Sequence, residues 1–487
     1  MPGTSYDSIT TNEPFRSSND AGMSTSTTGL LSPKRRRRHS TKSAYFQGEA
    51  TWASSVINLL NTIVGAGVLA MPRAMSQFGI VLGVFVIVFS AFASGFGLYL
   101  QARCSKYVER GTASFFSLSQ LTYPNAAVIF DAAIAIKCFG VAVSYLIIIG
   151  DLMPQVVRGF SEDLADIPYL SDRHFWITAF MLIVIPISFL RRLDSLKYTS
   201  IIALTSIAYL ILLVFAHFML GDATEERGPI RVITWSGPID ALKNFPIIVF
   251  AYTCHQNMFS IVNEIRDNSH SSTLSVIAGS IGTGCVTYVF VAITGYLSFG
   301  GTPLGNIIAQ YSPSWTSTIG CAAIVVLVMF SYPLQVHPCR ASIDNVLKWR
   351  PRRSNVPPPP PPPNSGRAAE ISDTKFAIIS TVIIIGTYAT AMSVSSLTRV
   401  LSYVGSTGST SISFILPGLF YWKISSPESD NRLLLKDHDD EWDGAEKEGG
   451  WKDKAVRKGS LVLAIYGVVV MVVCLGTNVF LSGEGAH

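Results

Sequence analysis

Charge is what this chain of 487 residues has least of: only 14% are Asp, Glu, Lys or Arg, against about 25% for a soluble domain. That shortage excludes an ordinary water-facing surface over most of the molecule. The sequence also lacks any Asn-x-Ser/Thr sequon, so no large glycosylated exterior is expected. None of its seven cysteines lies in a long polar loop where a disulfide would staple an external domain. No His/Asp cluster has metal-ligand spacing, and no Gly-x-Ser-x-Gly elbow or phosphate-binding loop is present. An enzyme is therefore not expected, nor a metal, a cofactor or a nucleic-acid partner. The first 50 residues are polar, which predicts no signal peptide.

What is present in quantity is apolar sequence. Hydrophobic residues make up 49% of the chain and the mean hydropathy is +0.38. Phe78–Leu100, Tyr198–Leu220, Ser272–Phe299 and Leu461–Leu481 carry no Asp, Glu, Lys or Arg. A bilayer core is crossed by about 20 apolar residues in helix, and only helices or closed barrels satisfy their backbone groups there. The expected fold class is an all-α membrane protein with about eleven transmembrane helices, at 53–75, 79–102, 127–153, 174–190, 198–220, 239–262, 273–299, 315–338, 374–393, 397–422 and 459–481.

Around this membrane-spanning body at 50–481, residues 1–49 read as a disordered basic tail containing Lys34-Arg35-Arg36-Arg37-Arg38. The basic run fits a nuclear or nucleic-acid signal in isolation, and a cytosolic flank beside membrane spans. Residues 341–373 form a Pro-rich loop with Pro357–Pro363, either a stiff spacer or an SH3-type ligand, so cytosolic partners of the tail or of this loop stay open. Residues 424–458 form a charged loop and 482–487 a short tail. With the N-terminus in the cytosol, most of the 37 lysines and arginines fall on the cytosolic side, as the positive-inside rule requires. The C-terminus is then luminal.

Two spans are interrupted. The first reads Asn61-Thr62-Ile63-Val64-Gly65-Ala66-Gly67 through its centre. Glycine weakens a helix and lets a ligand approach the backbone, although small residues also serve helix packing. The sixth holds the consecutive polar or soft residues Tyr252-Thr253-Cys254-His255-Gln256-Asn257, a run that is costly in hydrocarbon unless it lines a cavity. Interruptions at matching places in two halves point to a transporter binding site. Unwound backbone there frees N–H groups for a carboxylate and carbonyls for an ammonium or a coupling ion, H+ or Na+. A zwitterionic amino acid suits a site of that kind.

Several segments resemble the amino acid/auxin permease family: Asn61, Gly65, Gly67, Leu69 and Pro72 in the first span, Phe250 to Asn257 in the sixth, His337-Pro338-Cys339-Arg340 at the end of the eighth, and Tyr403 to Ser409 at the start of the tenth. The subgroup it resembles most is the fungal vacuolar amino acid transporters, related to animal sodium-coupled neutral amino acid transporters. The resemblance covers residues 48–481 and implies a leucine-transporter-type five-plus-five inverted repeat plus one C-terminal helix. By motif match it places substrate binding on Thr62, Gly65, Ala66 and Gly67, and coupling-ion contacts on Asn61 and Ser331.

The residues themselves add Tyr145, mid-span in the third helix, and Tyr252, Cys254 and His255 in the polar run as candidate substrate contacts. Histidine is the side chain whose charge changes near neutral pH, so His255 is also the candidate for proton coupling, the alternative being an interhelical hydrogen bond. Lys137 lies inside the third span. A structural or gating ion pair and a substrate contact both account for it. The expected function is secondary active transport of amino acids, coupled to protons, at the vacuolar or lysosomal membrane. A sodium-coupled symporter at the plasma membrane and a non-transporting amino acid sensor of the same fold are the alternatives.

Overall fold

The computed structural model describes residues 48–161, 163, 166–190, 199–221, 227–349, 372–426 and 451–481. The tail at 1–47, the polyproline run, most of the 424–458 loop and the end at 482–487 lie outside the described residues, so the readings placed on them are not addressed by it.

The first interrupted segment is two helices, α1 (Trp52–Ile63) and α2 (Ala66–Phe78), meeting at an angle of 54°. Then come α3 (Ile80–Cys104), a short α4 (Phe115–Thr122), α5 (Ala127–Phe160), α6 (Arg173–Ser188) and α7 (Thr199–Leu220). The sixth segment is again two helices, α8 (Pro238–Ala251) and α9 (His255–Glu264). After α10 (His270–Phe299), α11 (Trp315–Lys348) and α12 (Asp373–Ser393), α13 (Leu397–Val404) runs through π-helical turns at Gly405–Ser409 and Ser411–Ile415 into α14 (Leu416–Ile424). The last helix is α15 (Trp451–Phe480). Among the described residues, eight helices are long and apolar enough to cross a membrane, or nine with the bent pair α1 and α2. The helix α6 is shorter and also apolar.

The ends are set by local chemistry. The Ser114 and Ser314 hydroxyls cap α4 and α11 in reciprocal capping boxes with Ser117 and Ser317. The Asp172 carboxylate accepts the His174 backbone N–H at the start of α6, and that bond holds it below the usual carboxylate range. Between α2 and α3 the chain turns at Gly79, with φ of +75° and an ideal Cβ only 2.5 Å from the Thr234 carbonyl oxygen, so no other residue fits there without strain.

Three helix ends differ most from the sequence expectation, the first being that of α5, which runs through Pro154 to Phe160 instead of stopping at 153. The helix α11 does not stop at 338 but continues to Lys348, through Pro338 and into what was read as the loop at 341–373. A helix need not end where the bilayer does. Arg340 is buried, donates to the Ser188 carbonyl oxygen at 2.7 Å and lies 3.9 Å over the Phe376 ring, while Asp344 pairs with Lys348 one turn on. In the same way α15 starts at Trp451, inside the expected 424–458 loop, where Asp453 pairs with Arg103 of α3 at 3.3 Å.

Burial sorts the helices into an inner and an outer set. The most apolar window is 78% buried in Pro124–Phe160 and in Pro238–Glu264, but only 33% in Ile80–Tyr107 and in Trp451–Phe480. The outer helices turn Phe85, Phe92, Val462 and Val472 outward. Such residues on an outer face fit a lipid surround and not water. The third and sixth spans are therefore central, and α11 packs along much of α5.

Candidate functional site

Both breaks open onto one cavity of about 520 Å³. At the first break the helical ladder ends with the Val64 N–H on the Leu60 carbonyl, and the chain straightens through Gly65. An ideal Cβ on Gly65 meets nothing within 4 Å, so the backbone here stands open. Ala66 and Gly67 are the first residues of α2, whose leading N–H groups have no acceptor within the helix and present the positive end of its dipole. Both line the cavity.

At the second break α8 ends at Ala251, and Tyr252, Thr253 and Cys254 separate it from α9. The two breaks are tied together. The fully buried Tyr288 hydroxyl, from α10, donates toward the Ile63 carbonyl oxygen at 2.5 Å and the Ala251 carbonyl oxygen at 2.8 Å. These carbonyls are the last of α1 and of α8. Gly67 packs directly on Ala251: an ideal Cβ would lie 2.6 Å from the Ala251 Cβ. The Asn257 amide donates to the Thr62 hydroxyl at 2.6 Å, a third link between the broken spans.

The third wall is α11. Pro338 has no N–H to give, so the carbonyl of Leu334, four residues earlier, loses its helical partner. Leu334, Gln335 and Pro338 all line the cavity, as does Ser331, whose hydroxyl donates to the Leu327 carbonyl oxygen at 2.8 Å. The fourth wall is α5, which contributes Lys137, Val141 and Tyr145. The lining includes Asn58, Asn61, Thr253, Gln256 and Asn257 and, among the described residues, no carboxylate and no histidine. Among the described residues no cluster of three His, Cys, Asp or Glu is placed to hold a metal ion.

The structure thus brings Asn61, Thr62, Gly65, Ala66, Gly67, Tyr145 and Ser331 to one cavity. Tyr252, Cys254 and His255 do not line it. Tyr252 and His255 face the other side of the break. The Tyr252 carbonyl accepts from the Ser94 hydroxyl at 3.0 Å, and the Tyr252 ring meets Tyr288 edge to face at 5.1 Å. The His255 Nε2 lies 3.2 Å from the Ser94 carbonyl oxygen, so this nitrogen carries the hydrogen in that contact. A single turn of helix cannot present six successive side chains to one space, so the polar run divides: Thr253, Gln256 and Asn257 toward the cavity, Tyr252 and His255 toward α3 and α10, and Cys254 between Tyr288 and Lys137.

Asn58, Thr253, Gln256, Asn257 and Gln335 line the cavity without having been singled out as contacts, and Lys137, for which an ion pair and a substrate contact both stood open, lines it too. Both polar atoms of the Gln256 amide are buried and have no hydrogen-bond partner among the described residues. A buried amide without a partner is costly, and a ligand in the cavity would supply one. Its place in the polar run was the available signal. For Lys137 the signal was its charge inside a span.

The family model described as "Transmembrane amino acid transporter protein" matches residues 48–436. Vacuolar amino acid transporter 5 of Schizosaccharomyces pombe is 43% identical over 437 residues, covering 89% of this chain and 95% of that protein. Vacuolar amino acid transporter 6 of Saccharomyces cerevisiae is 38% identical over 459 residues, covering 88% and 98%. Among solved structures, MhsT in complex with L-phenylalanine matches 88% of this chain and 99% of its own at a TM-score of 0.55, with 14% identity, which shows a shared fold. That fold agrees with the leucine-transporter-type architecture that the family resemblance implied. The chain belongs to the transmembrane amino acid transporter protein family.

Proposed function

We propose that this protein is a secondary active transporter that carries amino acids across the vacuolar membrane, coupled to protons. The observation that carries the reading is the single cavity onto which both helix breaks open. A carboxylate suits the leading N–H groups of α2, and an ammonium suits the Leu334 carbonyl that Pro338 leaves without its helical partner. The vacuolar membrane follows from the relatives, two of which are vacuolar transporters over nearly their whole length.

The coupling residue to examine is His255. It opens α9 at the break itself and adjoins Gln256 of the cavity wall. A change in its charge would act on the Ser94 carbonyl and on the start of α9 and would not touch the substrate. The experiment is uptake of a panel of radiolabelled amino acids into proteoliposomes with an imposed pH or sodium gradient. Uptake driven by a pH gradient and indifferent to sodium is the expected result. Uptake driven by sodium alone refutes proton coupling, and binding without any flux refutes transport and leaves a sensor.

A further inference from the structure

Lys137 projects from the middle of α5 into the cavity wall, with 3% of its surface exposed. It makes no ion pair and no hydrogen bond among the described residues. The carboxylates Asp131 on α5 and Asp344 on α11 have partners of their own: Asp131 accepts from the Asn345 amide at 3.2 Å, and Asp344 pairs with Lys348. The Cys138 and Cys254 thiols and the His255 imidazole lie within electrostatic reach of the Lys137 ammonium. Its backbone cannot withdraw, because α5 is pressed against the π-helical turn at this level: an ideal Cβ on Gly408 would lie 2.7 Å from the Lys137 Cβ and 2.8 Å from the Lys137 nitrogen. An isolated ammonium in such a place is unfavourable until an anion joins it.

The same cavity already offers a second attraction for negative charge, the leading N–H groups of Ala66 and Gly67 on a helix of 13 residues. Two places for carboxylates, no carboxylate in the lining and an unpartnered Gln256 amide describe a site for a ligand with two anionic groups. We infer that Lys137 is a fixed cationic subsite for the side-chain carboxylate of the substrate, making acidic amino acids the preferred cargo and disfavouring cationic ones. The α-carboxylate goes to the α2 N-terminus, and the side-chain carboxylate reaches Lys137. The inference rests on the cavity being the amino acid site proposed above.

The test is equilibrium binding to the purified full-length protein in detergent, so that it does not depend on flux. L-Glutamate and L-glutamine have the same shape and differ at the side-chain terminus. The wild type is expected to bind L-glutamate about tenfold more tightly than L-glutamine, the least that a charge-assisted hydrogen bond supplies, and L-lysine more weakly than either. Lys137→Met is expected to remove the preference for glutamate while still binding glutamine, and Lys137→Arg to restore part of it. Equal affinities for glutamate and glutamine in the wild type overturn the inference by themselves, even where Lys137→Met does not fold. A preference that survives in Lys137→Met also overturns it. Glutamate preference with no flux in proteoliposomes upholds the subsite and sinks the transport reading alone.

Discussion

Removing one oxygen atom from Tyr288 tests whether the two broken spans act as a unit. In Tyr288→Phe the ring stays, with its edge-to-face contact to Tyr252 at 5.1 Å, but the Ile63 and Ala251 carbonyls lose the hydroxyl donor. Interhelical hydrogen bonds within membrane proteins average about 0.6 kcal/mol. A buried acceptor left with nothing costs more, about 1–3 kcal/mol. The Ile63 carbonyl keeps the Gly65 N–H at 3.0 Å, so the loss falls mainly on the Ala251 carbonyl, and about 2 kcal/mol, the middle of that range, is about thirtyfold in an equilibrium constant. The cost falls on the conformation in which the two breaks face each other, which is the one that forms the cavity. Substrate affinity should therefore weaken by about that factor, with a smaller loss of thermal stability, since α10 keeps its packing. Titration calorimetry on the purified protein, with uptake KM measured beside it, reads both. An affinity within twofold of wild type would show that the Tyr288 hydroxyl does not hold the breaks in register.

Gly65→Leu places a side chain into open space and is expected to abolish uptake with the melting temperature unchanged, measured by thermal unfolding in detergent. Gly67→Leu, in contrast, drives into Ala251 and should lower the melting temperature as well, so uptake lost in that variant does not isolate the pocket. Gly405→Ala would set a methyl group 2.0 Å from the Pro246 carbonyl oxygen. Overpacking of this kind costs about 1–3 kcal/mol, and the yield of monodisperse protein on size exclusion should fall. Asn257→Ala removes the 2.6 Å bond to Thr62, and a loss of about 1 kcal/mol predicts about fivefold weaker substrate binding. Normal affinity there would mean that this link is not part of the site. His255→Ala should flatten the pH dependence of uptake, and an unaltered pH profile would remove His255 from coupling.

The helices were legible in the sequence because hydrocarbon leaves a chain few options. A run of about 20 apolar residues must be helical, which is why an expected span at 273–299 and the observed α10 at His270–Phe299 agree closely. The breaks were legible too, since glycine pairs and polar runs inside such spans have few uses besides a cavity. Ends beyond the apolar region were not legible. In α11 the segment from Arg340 to Lys348 carries the charged residues Arg340, Asp344 and Lys348 but stays helical because Arg340 finds the Ser188 carbonyl, a partner 152 residues away.

Composition and periodicity fixed the class of protein, the location of its two interruptions and a set of residues near them. Which way each side chain of the polar run turned was a different matter. It depended on the exit angle of α9 from the break and on Ser94 and Tyr288 arriving from other helices. Tyr288 meets Ile63 across 225 residues, a separation over which sequence patterns carry no register. So the tertiary structure alone turned His255 away from the cavity, joined the breaks through one hydroxyl and left Lys137 in the cavity wall without a carboxylate. The physical reason is that hydrophobic burial is decided locally along a helix, while a buried polar group is satisfied only by whatever the fold brings within about 3 Å of it.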